Sequence, residues 1–354
     1  LSPEDYGIVG YLQVYSQVMA TVLMFGFHGA QTRYFYEFKE DKEKIGRFLF
    51  SMNAYLFVVL LFICLSLSLG GRYLYHYFSI EGIPYHPYIP IIIWTVFFQI
   101  FNQMVTSYYL ASKEYKKCAV LQILLFLGTT SAVIFFVVYR EQGALGQLLG
   151  LLCGQILFFI FFYGPYARKF IYKFSWNSVK ICLAFGIPIV FHLLAGVIHN
   201  SIDRVILEKY VSISELGIYT LGYQIGMVMS VITTSVNKAW QPNYFEFMSS
   251  HMLKEQKLFE NRRMFAFWMI GVGSICLTGM LWAKEFLALL TPEKFHASSE
   301  VVPIILFGYL FQGLYFLAVS TLFQFKKTKF LPFITVSSAI VNICLNFIFI
   351  PKYG

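Results

Sequence analysis

His192, Gly196, His199 and Asp203 fall at i, i+4, i+7 and i+11, so the pitch of an α-helix places all four on one face. Two imidazoles and a carboxylate along one face are groups that titrate or hold a cation, and Arg204 next to them adds a fixed positive charge. Two other segments carry stripes that are polar and largely uncharged. Tyr219, Tyr223, Gly226, Ser230, Thr234, Asn237 and Gln241 recur at steps of three or four, and Gln99, Asn102, Gln103 and Thr106 do the same on the way to Lys113. Amides, hydroxyls and phenol rings supply donors, acceptors and stacking surface, which suits a hydrophilic passenger such as a glycan. Each stripe has a plainer reading beside this one, because Ser, Thr, Asn and Gln in apolar helices also bond neighbouring helices.

These residues need elements to carry them, and composition decides which. Hydrophobic residues make up 58% of the 354, charged residues only 13%, and 39 are Phe, a balance far from that of water-soluble domains. Ten charge-free runs lie at 6–32, 48–71, 82–112, 118–139, 142–167, 181–202, 216–237, 264–283, 301–325 and 330–351. Each meets the roughly 20 residues that cross a bilayer as a helix. They do not alternate polar and apolar as barrel strands do, and a helix satisfies its own backbone in lipid. The expected fold is an all-α integral membrane protein.

Cations orient it. Arg33, Lys39, Lys42, Lys44, Arg47, Lys113, Lys116, Lys117, Arg168, Lys169, Lys173, Lys180, Lys238, Lys254, Lys257, Arg262, Arg263, Lys326, Lys327 and Lys329 fall in alternate connections. The intervening connections hold only Arg72, Arg140, Arg204, Lys209, Lys284, Lys294 and Lys352. The positive-inside rule makes the first set cytoplasmic and turns both ends of the chain outward. The formal charge of +9 therefore reads as a basic face against anionic lipid, with no nucleic-acid partner. Cys64, Cys118, Cys153, Cys182, Cys276 and Cys344 stand singly, without the spacing of a metal site, and no cofactor is expected. The longest loop, about 238–263, has no paired carboxylates, phosphate-binding glycines or metal motif, so an enzyme is not expected. No filter-like segment of a channel occurs.

The chain also repeats itself. PIIIWTVFFQ (90–99) returns as PIILFGYLFQ (303–312), so that Gln312 repeats Gln99, and Lys113 and Lys116 fall on Lys326 and Lys329 in the same register. Upstream, SPEDYGI (2–8) returns as SISELGI (212–218). Five runs align in order, which a single chance match would not do. The run at 181–202 precedes the second copy and the run at 142–167 closes the first. A full copy thus has six helices, and the expectation is a fragment of a protein of at least twelve, in two pseudo-symmetric bundles. In this chain the first bundle would be 1–166, an inter-bundle linker 167–180, and the second bundle 181–354. An even helix count makes the copies parallel repeats about an axis along the membrane normal. Gly146, Gly150 and Gly154 form a small-residue ladder, read as helix packing. Tyr73, Tyr75, Tyr77, Tyr85 and Tyr88 read as an interfacial belt.

LSPEDYGI, RYFYEFKEDKE, FGIPIVFHLL, SIDRVIL, ELGIYTLGYQIG, NKAWQPNYFE and NICLNFIFIPKYG, in this order and across essentially the whole chain, resemble the polysaccharide transporter branch of the multidrug/oligosaccharidyl-lipid/polysaccharide flippase superfamily, the Wzx-like O-antigen and capsule flippases. The resemblance implies a MATE-like fold in a bacterial inner membrane. It also implies movement of a polyprenyl-pyrophosphate-linked oligosaccharide to the outer leaflet for cell-surface polysaccharide such as lipopolysaccharide or capsule. Membrane lipids, a coupling proton or sodium ion and polysaccharide polymerase machinery are the partners in that picture. A pyrophosphate calls for cations near helix ends: Arg33 and Lys238 at cytoplasmic exits and Arg204 at the outer one, each of which could instead snorkel to lipid phosphate. The alternative is an ion-coupled multidrug exporter of the same fold, which should favour carboxylates within the membrane. The ten runs contain none.

Overall fold

The computed structural model describes residues 1–77, 83–249, 253–324 and 330–353. Lys326, Lys327 and Lys329, counted above as cytoplasmic cations, and the loop residue His251 lie outside them. All regular structure among the described residues is helical: α1 (Pro3–Leu23), α2 (Phe27–Phe38), α3 (Lys42–Tyr77), α4 (Tyr88–Ala111), α5 (Tyr115–Ile134), α6 (Gly143–Phe158), α7 (Gly164–Ala167), α8 (Trp176–Leu207), α9 (Ile213–Gly226), α10 (Val228–Ser249), α11 (Lys254–Leu281), α12 (Ala283–Leu290), α13 (Val301–Gln324) and α14 (Phe330–Tyr353). A π-helical turn extends α5 over Phe135–Tyr139, another joins α6 to α7 over Phe159–Tyr163, and a 3-10 segment, Glu293–Glu300, leads into α13. Ten stretches are long and apolar enough to span a membrane, from Pro3–Phe38 to Phe333–Lys352, in agreement with the ten runs of the sequence. The protein is a multi-pass membrane protein with no strand among its described residues.

The two copies start alike because their sequences cap alike. Ser2 accepts the backbone N–H of Asp5, while Asp5 takes the backbone N–H of Ser2; Ser212 and Glu215 make the same reciprocal box at the head of α9. Each box satisfies two backbone donors that an apolar surrounding would leave costly. Both copies also break their first helix. The chain interrupts α1/α2 at Met24–Gly26 and α9/α10 at Met227.

Packing divides the chain into two compact units, residues 1–211 with 338–354, and residues 212–337. In the first unit α4 is central and touches α1, α2, α3, α5 and α6. The glycine ladder does what its spacing suggests. A Cβ on Gly150 would lie 2.5 Å from the Val133 backbone and one on Gly154 2.6 Å from the Thr129 Cα, so these glycines let α6 lie directly on α5. α8 belongs to the first of these units, where it packs on α1, α2 and α3. The reason is local. Gly26, in the left-handed region at φ +68°, meets Gly186 so closely that a Cβ would stand 2.6 Å from the Gly186 Cα.

In the second unit α13 takes the place of α4 and touches α9, α10 and α11. Equivalent side chains make equivalent bonds. The thiol of Cys64 on α3 donates to the Ile93 carbonyl on α4 at 3.9 Å, and that of Cys276 on α11 donates to the Leu306 carbonyl on α13 at 3.5 Å. Ile93 and Leu306 are 213 positions apart, and the two cysteines 212.

Candidate functional site

The stripe on α4 divides when it folds. Asn102 is buried, and its Nδ2 donates to both the carbonyl and the side-chain Oε1 of Gln155 on α6, at 2.9 and 2.6 Å. Gln99 is half-buried and Gln103 exposed. Asn102 therefore joins two helices, while its stripe neighbours keep their amides toward the surface of the unit. Thr106 returns its hydroxyl to the carbonyls of its own helix.

The face on α8 stays intact. His192 and His199 are exposed, Asp203 is half-buried, and a Cβ on Gly196 would meet nothing within 4 Å. The opposite side of α8 is the packed one: Arg204 is buried, and Ser201 donates to Gln17 Oε1 on α1 at 3.3 Å. A cluster that the stripes did not point to stands near the C-terminal end of α8. Tyr11 and Tyr15 share a hydroxyl–hydroxyl contact of 2.8 Å, with the Glu208 carboxylate within electrostatic range of both and of Tyr75.

On the second unit the long stripe comes together with α13. The rings of Tyr219 and Tyr223 lie 6.0 Å apart, and Tyr309 donates its hydroxyl to that of Tyr223 at 3.4 Å. Ser230 donates to Gln312 Oε1 at 3.2 Å, Gln241 to Ser320 at 3.5 Å, and Tyr244 shares a 3.1 Å contact with Thr321. Asn237 is half-buried, and its Oδ1 is buried without a hydrogen-bond partner among the described residues. Part of this stripe is thus the α10–α13 seam, and part faces away from it. Tyr309 escaped the sequence reading, although it precedes Gln312 by three and so shares its face.

The two cations expected near cytoplasmic helix ends lie midway along helices in the structure, Arg33 on α2 and Lys238 on α10. Arg33 is exposed, its guanidinium 6.0 Å from the Tyr34 ring, and Lys238 is exposed on α10. Each belongs to its own unit. Lys117 pairs with Glu114, and that hydrogen bond holds the Glu114 carboxyl below the ordinary carboxylate range. No group of three His, Cys, Asp or Glu able to hold a metal occurs among the described residues.

Sequence reasoning also missed a buried network in the first unit. Tyr166 donates to Gln31 Oε1 (2.8 Å) and accepts from Asn53 Nδ2 (2.9 Å); Tyr163 donates to Asn53 Oδ1 (3.2 Å); Gln31 Nε2 reaches the Met104 carbonyl (2.8 Å). Gln31 was findable. It stands 210 positions before Gln241, in the register of the repeat.

Residues 1–248 match the family model described as polysaccharide biosynthesis protein. The chain belongs to the polysaccharide biosynthesis protein family. Residues 188–348 also match the MatE model. Among curated relatives, the Lsg locus putative protein 1 of Haemophilus influenzae is 22% identical over 351 residues, 97% of this chain and 82% of that one. An uncharacterized membrane protein of the same organism is also 22% identical, covering 96% and 81%. Among solved structures, the inward-facing conformation of a multidrug resistance MATE family transporter of the MOP superfamily superposes with a TM-score of 0.62 at 15% identity, covering 99% of this chain and 91% of that one. A MATE protein crystallised with MaD5 gives a TM-score of 0.53 at 14% identity, covering 96% and 77%. This member of the polysaccharide biosynthesis protein family therefore has the MATE fold, as expected.

Proposed function

We propose that the protein is a flippase that carries polyprenyl-pyrophosphate-linked oligosaccharide units from the cytoplasmic to the outer leaflet of a bacterial inner membrane by alternating access. The observation that carries this reading is the pairing of family with surface chemistry: a polysaccharide biosynthesis transporter whose apolar spans carry stripes of amide and phenol groups rather than carboxylates. Such stripes offer hydrogen bonds to sugar hydroxyls without the desolvation of a charge.

In this scheme each half of the full-length protein forms a six-helix bundle. The two rock about the glycan while the prenyl tail stays in lipid. The cation-rich connections face the cytoplasm, where Arg33 and Lys238 meet the pyrophosphate as it enters, and Arg204 acts near the outer exit. His192, His199 and Asp203 are the groups for a coupling proton or sodium ion, because their face of α8 is the one left unpacked by the first unit. Polymerase machinery would receive the product at the outer leaflet. The multidrug-exporter reading draws on the MATE fold and the MatE match over residues 188–348, and the one carboxylate on these faces, Asp203, stands near the end of α8.

The test uses the full-length gene in its own host. Its deletion should remove surface polysaccharide and leave lipid-linked glycan in the cytoplasmic leaflet, and re-expression should restore export. Lys238→Ala at matched abundance should lower export several-fold, since a lost phosphate contact touches transport more than folding. Unchanged surface polysaccharide in the deletion strain would overturn the reading.

A further inference from the structure

On the second unit three tyrosines converge, the first of them one helical turn past Glu215. Tyr219 and Tyr223 come from α9 and Tyr309 from α13; the Tyr223 and Tyr309 rings stand 6.3 Å apart at 76°, close to edge-on. All three are half-buried, so each keeps ring surface outside the packing. Immediately toward the other end of α13, Gln312 accepts from Ser230 through Oε1, and its amide nitrogen bonds no described residue. Gln312 lies at the middle of the 24-residue α13, hence near the centre of a span of about 36 Å. Asn237, with its buried, unbonded Oδ1, stands apart from this group, about two helical turns past Ser230 on α10 and next to Lys238.

Charge is missing from this region by sequence. Between Glu215 at the head of α9 and Lys238 on α10 every residue is uncharged, and α13 has no charged residue from Val301 to Gln324. A carboxylate brought beside Tyr309 and Gln312 would lose its water about 12 Å along α10 from Lys238, the first cation on these helices past Ser230, a costly transfer. A neutral pyranose would lose little. Its C–H faces pack on phenol rings and its hydroxyls exchange water for the Gln312 amide.

We infer that Tyr219, Tyr223 and Tyr309, with Gln312 deeper in the membrane, form a subsite for uncharged sugar residues, and that this subsite makes the transporter select neutral repeat units over acidic ones. The inference rests on the flippase reading and specifies its passenger. The pyrophosphate is handled by cations elsewhere; the sugar selection is made by an uncharged aromatic wall.

The experiment expresses the full-length protein in two bacterial hosts that lack their own flippase. One host assembles a lipid-linked repeat unit of neutral hexoses and N-acetylhexosamines, the other the same unit with one hexose oxidised to a uronic acid. Surface polysaccharide is measured at matched protein abundance. Rescue of the neutral unit should exceed that of the acidic unit about tenfold, a discrimination of about 1.4 kcal/mol. Tyr309→Ala should cut neutral rescue at least about fivefold while Tyr309→Phe keeps most of it, since the ring does the stacking. Gln312→Arg should move preference toward the acidic unit, a gain that misfolding cannot imitate. Equal rescue of both units by the unsubstituted protein, or a preference untouched by Gln312→Arg, overturns the subsite and leaves the flippase reading standing. Rescue of neither unit overturns the flippase reading, and the subsite falls with it.

Discussion

Gln31 and Gln241 hold the same place in the two repeats, on the second half of a broken first helix, and both reach across to the central helix of their unit. Their surroundings differ. Gln31 is fully buried, bonded through Nε2 to the Met104 carbonyl and through Oε1 to Tyr166, which also takes Asn53. Gln241 is half-buried and donates to Ser320 at 3.5 Å, the outer limit of a useful bond. Tyr166 is the added element. It arrives from α7, after the helix that follows α5, and closes the polar groups of the first repeat into a network with no water-facing side. A closed network of this kind specifies one packing arrangement. Along α9, α10 and α13 the second repeat instead leaves Asn237 Oδ1 and the Gln312 amide nitrogen without described partners. The first unit has buried unbonded atoms elsewhere, Asn102 Oδ1 and His28 Nδ1 among them, so the contrast is local: one sequence plan yields a closed network around Gln31 and a looser one around Gln241.

The steepest contrast should come from the helix breaks. Gly26 has φ +68° and would push a Cβ into the Gly186 backbone, whereas a Cβ on Gly226 would meet the Ile305 side chain at 2.6 Å. Both contacts are tight, since Ile305 Cβ also stands 2.8 Å from that Cβ, but only Gly26 adds left-handed strain. Gly26→Ala is therefore expected to cost about 2–4 kcal/mol, combining left-handed strain with overpacking, and Gly226→Ala about 1–2 kcal/mol. Melting of the purified full-length protein in detergent measures both. Equal losses would mean that the two breaks bear the same packing load and would break the comparison.

A middle-sized effect separates the glutamine networks. Tyr166→Phe deletes a hydroxyl that serves two buried amides, leaving Gln31 Oε1 and Asn53 Nδ2 each short of a partner, for about 1–3 kcal/mol apiece at most. Gln241→Ala removes one long bond at a half-buried position and should cost at most about 1 kcal/mol. Slowed or unchanged amide exchange around α2 and α4 in Tyr166→Phe, where faster exchange is expected, would show that the network does not hold this unit together.

The ten spans were legible because their signal is an average over about 20 residues, which no single contact can disturb. The repeat was legible for the same reason: five runs in one register. Single polar residues were harder. Asn102 and Gln103 are adjacent in one stripe, yet one is spent on Gln155 and the other stays exposed, because a helix turns by 100° per residue and the width of α6 decides which side is covered. Tyr166 could not be read at all, since its partners lie 113 and 135 positions away and nothing in the local pattern names them. The placement of α8 escaped for a different reason. Its repeat position assigns it to the second copy, but Gly26 and Gly186 permit an approach to the first that only three-dimensional packing reveals.

The smallest expected difference is at the two capping boxes, where the sequences look most alike. Asp5 and Glu215 each take the backbone N–H and the hydroxyl of their Ser, and each restores one helix start. Asp5 does one thing more: its Oδ1 accepts the Ala144 N–H at 2.8 Å, tying α1 to the start of α6 beside Gly143, which is in the left-handed region at φ +53°. Removing either cap should cost about 1 kcal/mol. Asp5→Ala should lose a further 0.5–1.5 kcal/mol, roughly one hydrogen bond, because the Ala144 N–H has lost its acceptor. Ser2→Ala keeps the Ala144 bond and should match Ser212→Ala, so the four variants form a comparison in which only Asp5→Ala stands apart. If Asp5→Ala and Glu215→Ala melt together, the bond to Ala144 contributes nothing measurable, and the start of α1 is held no more tightly than that of α9.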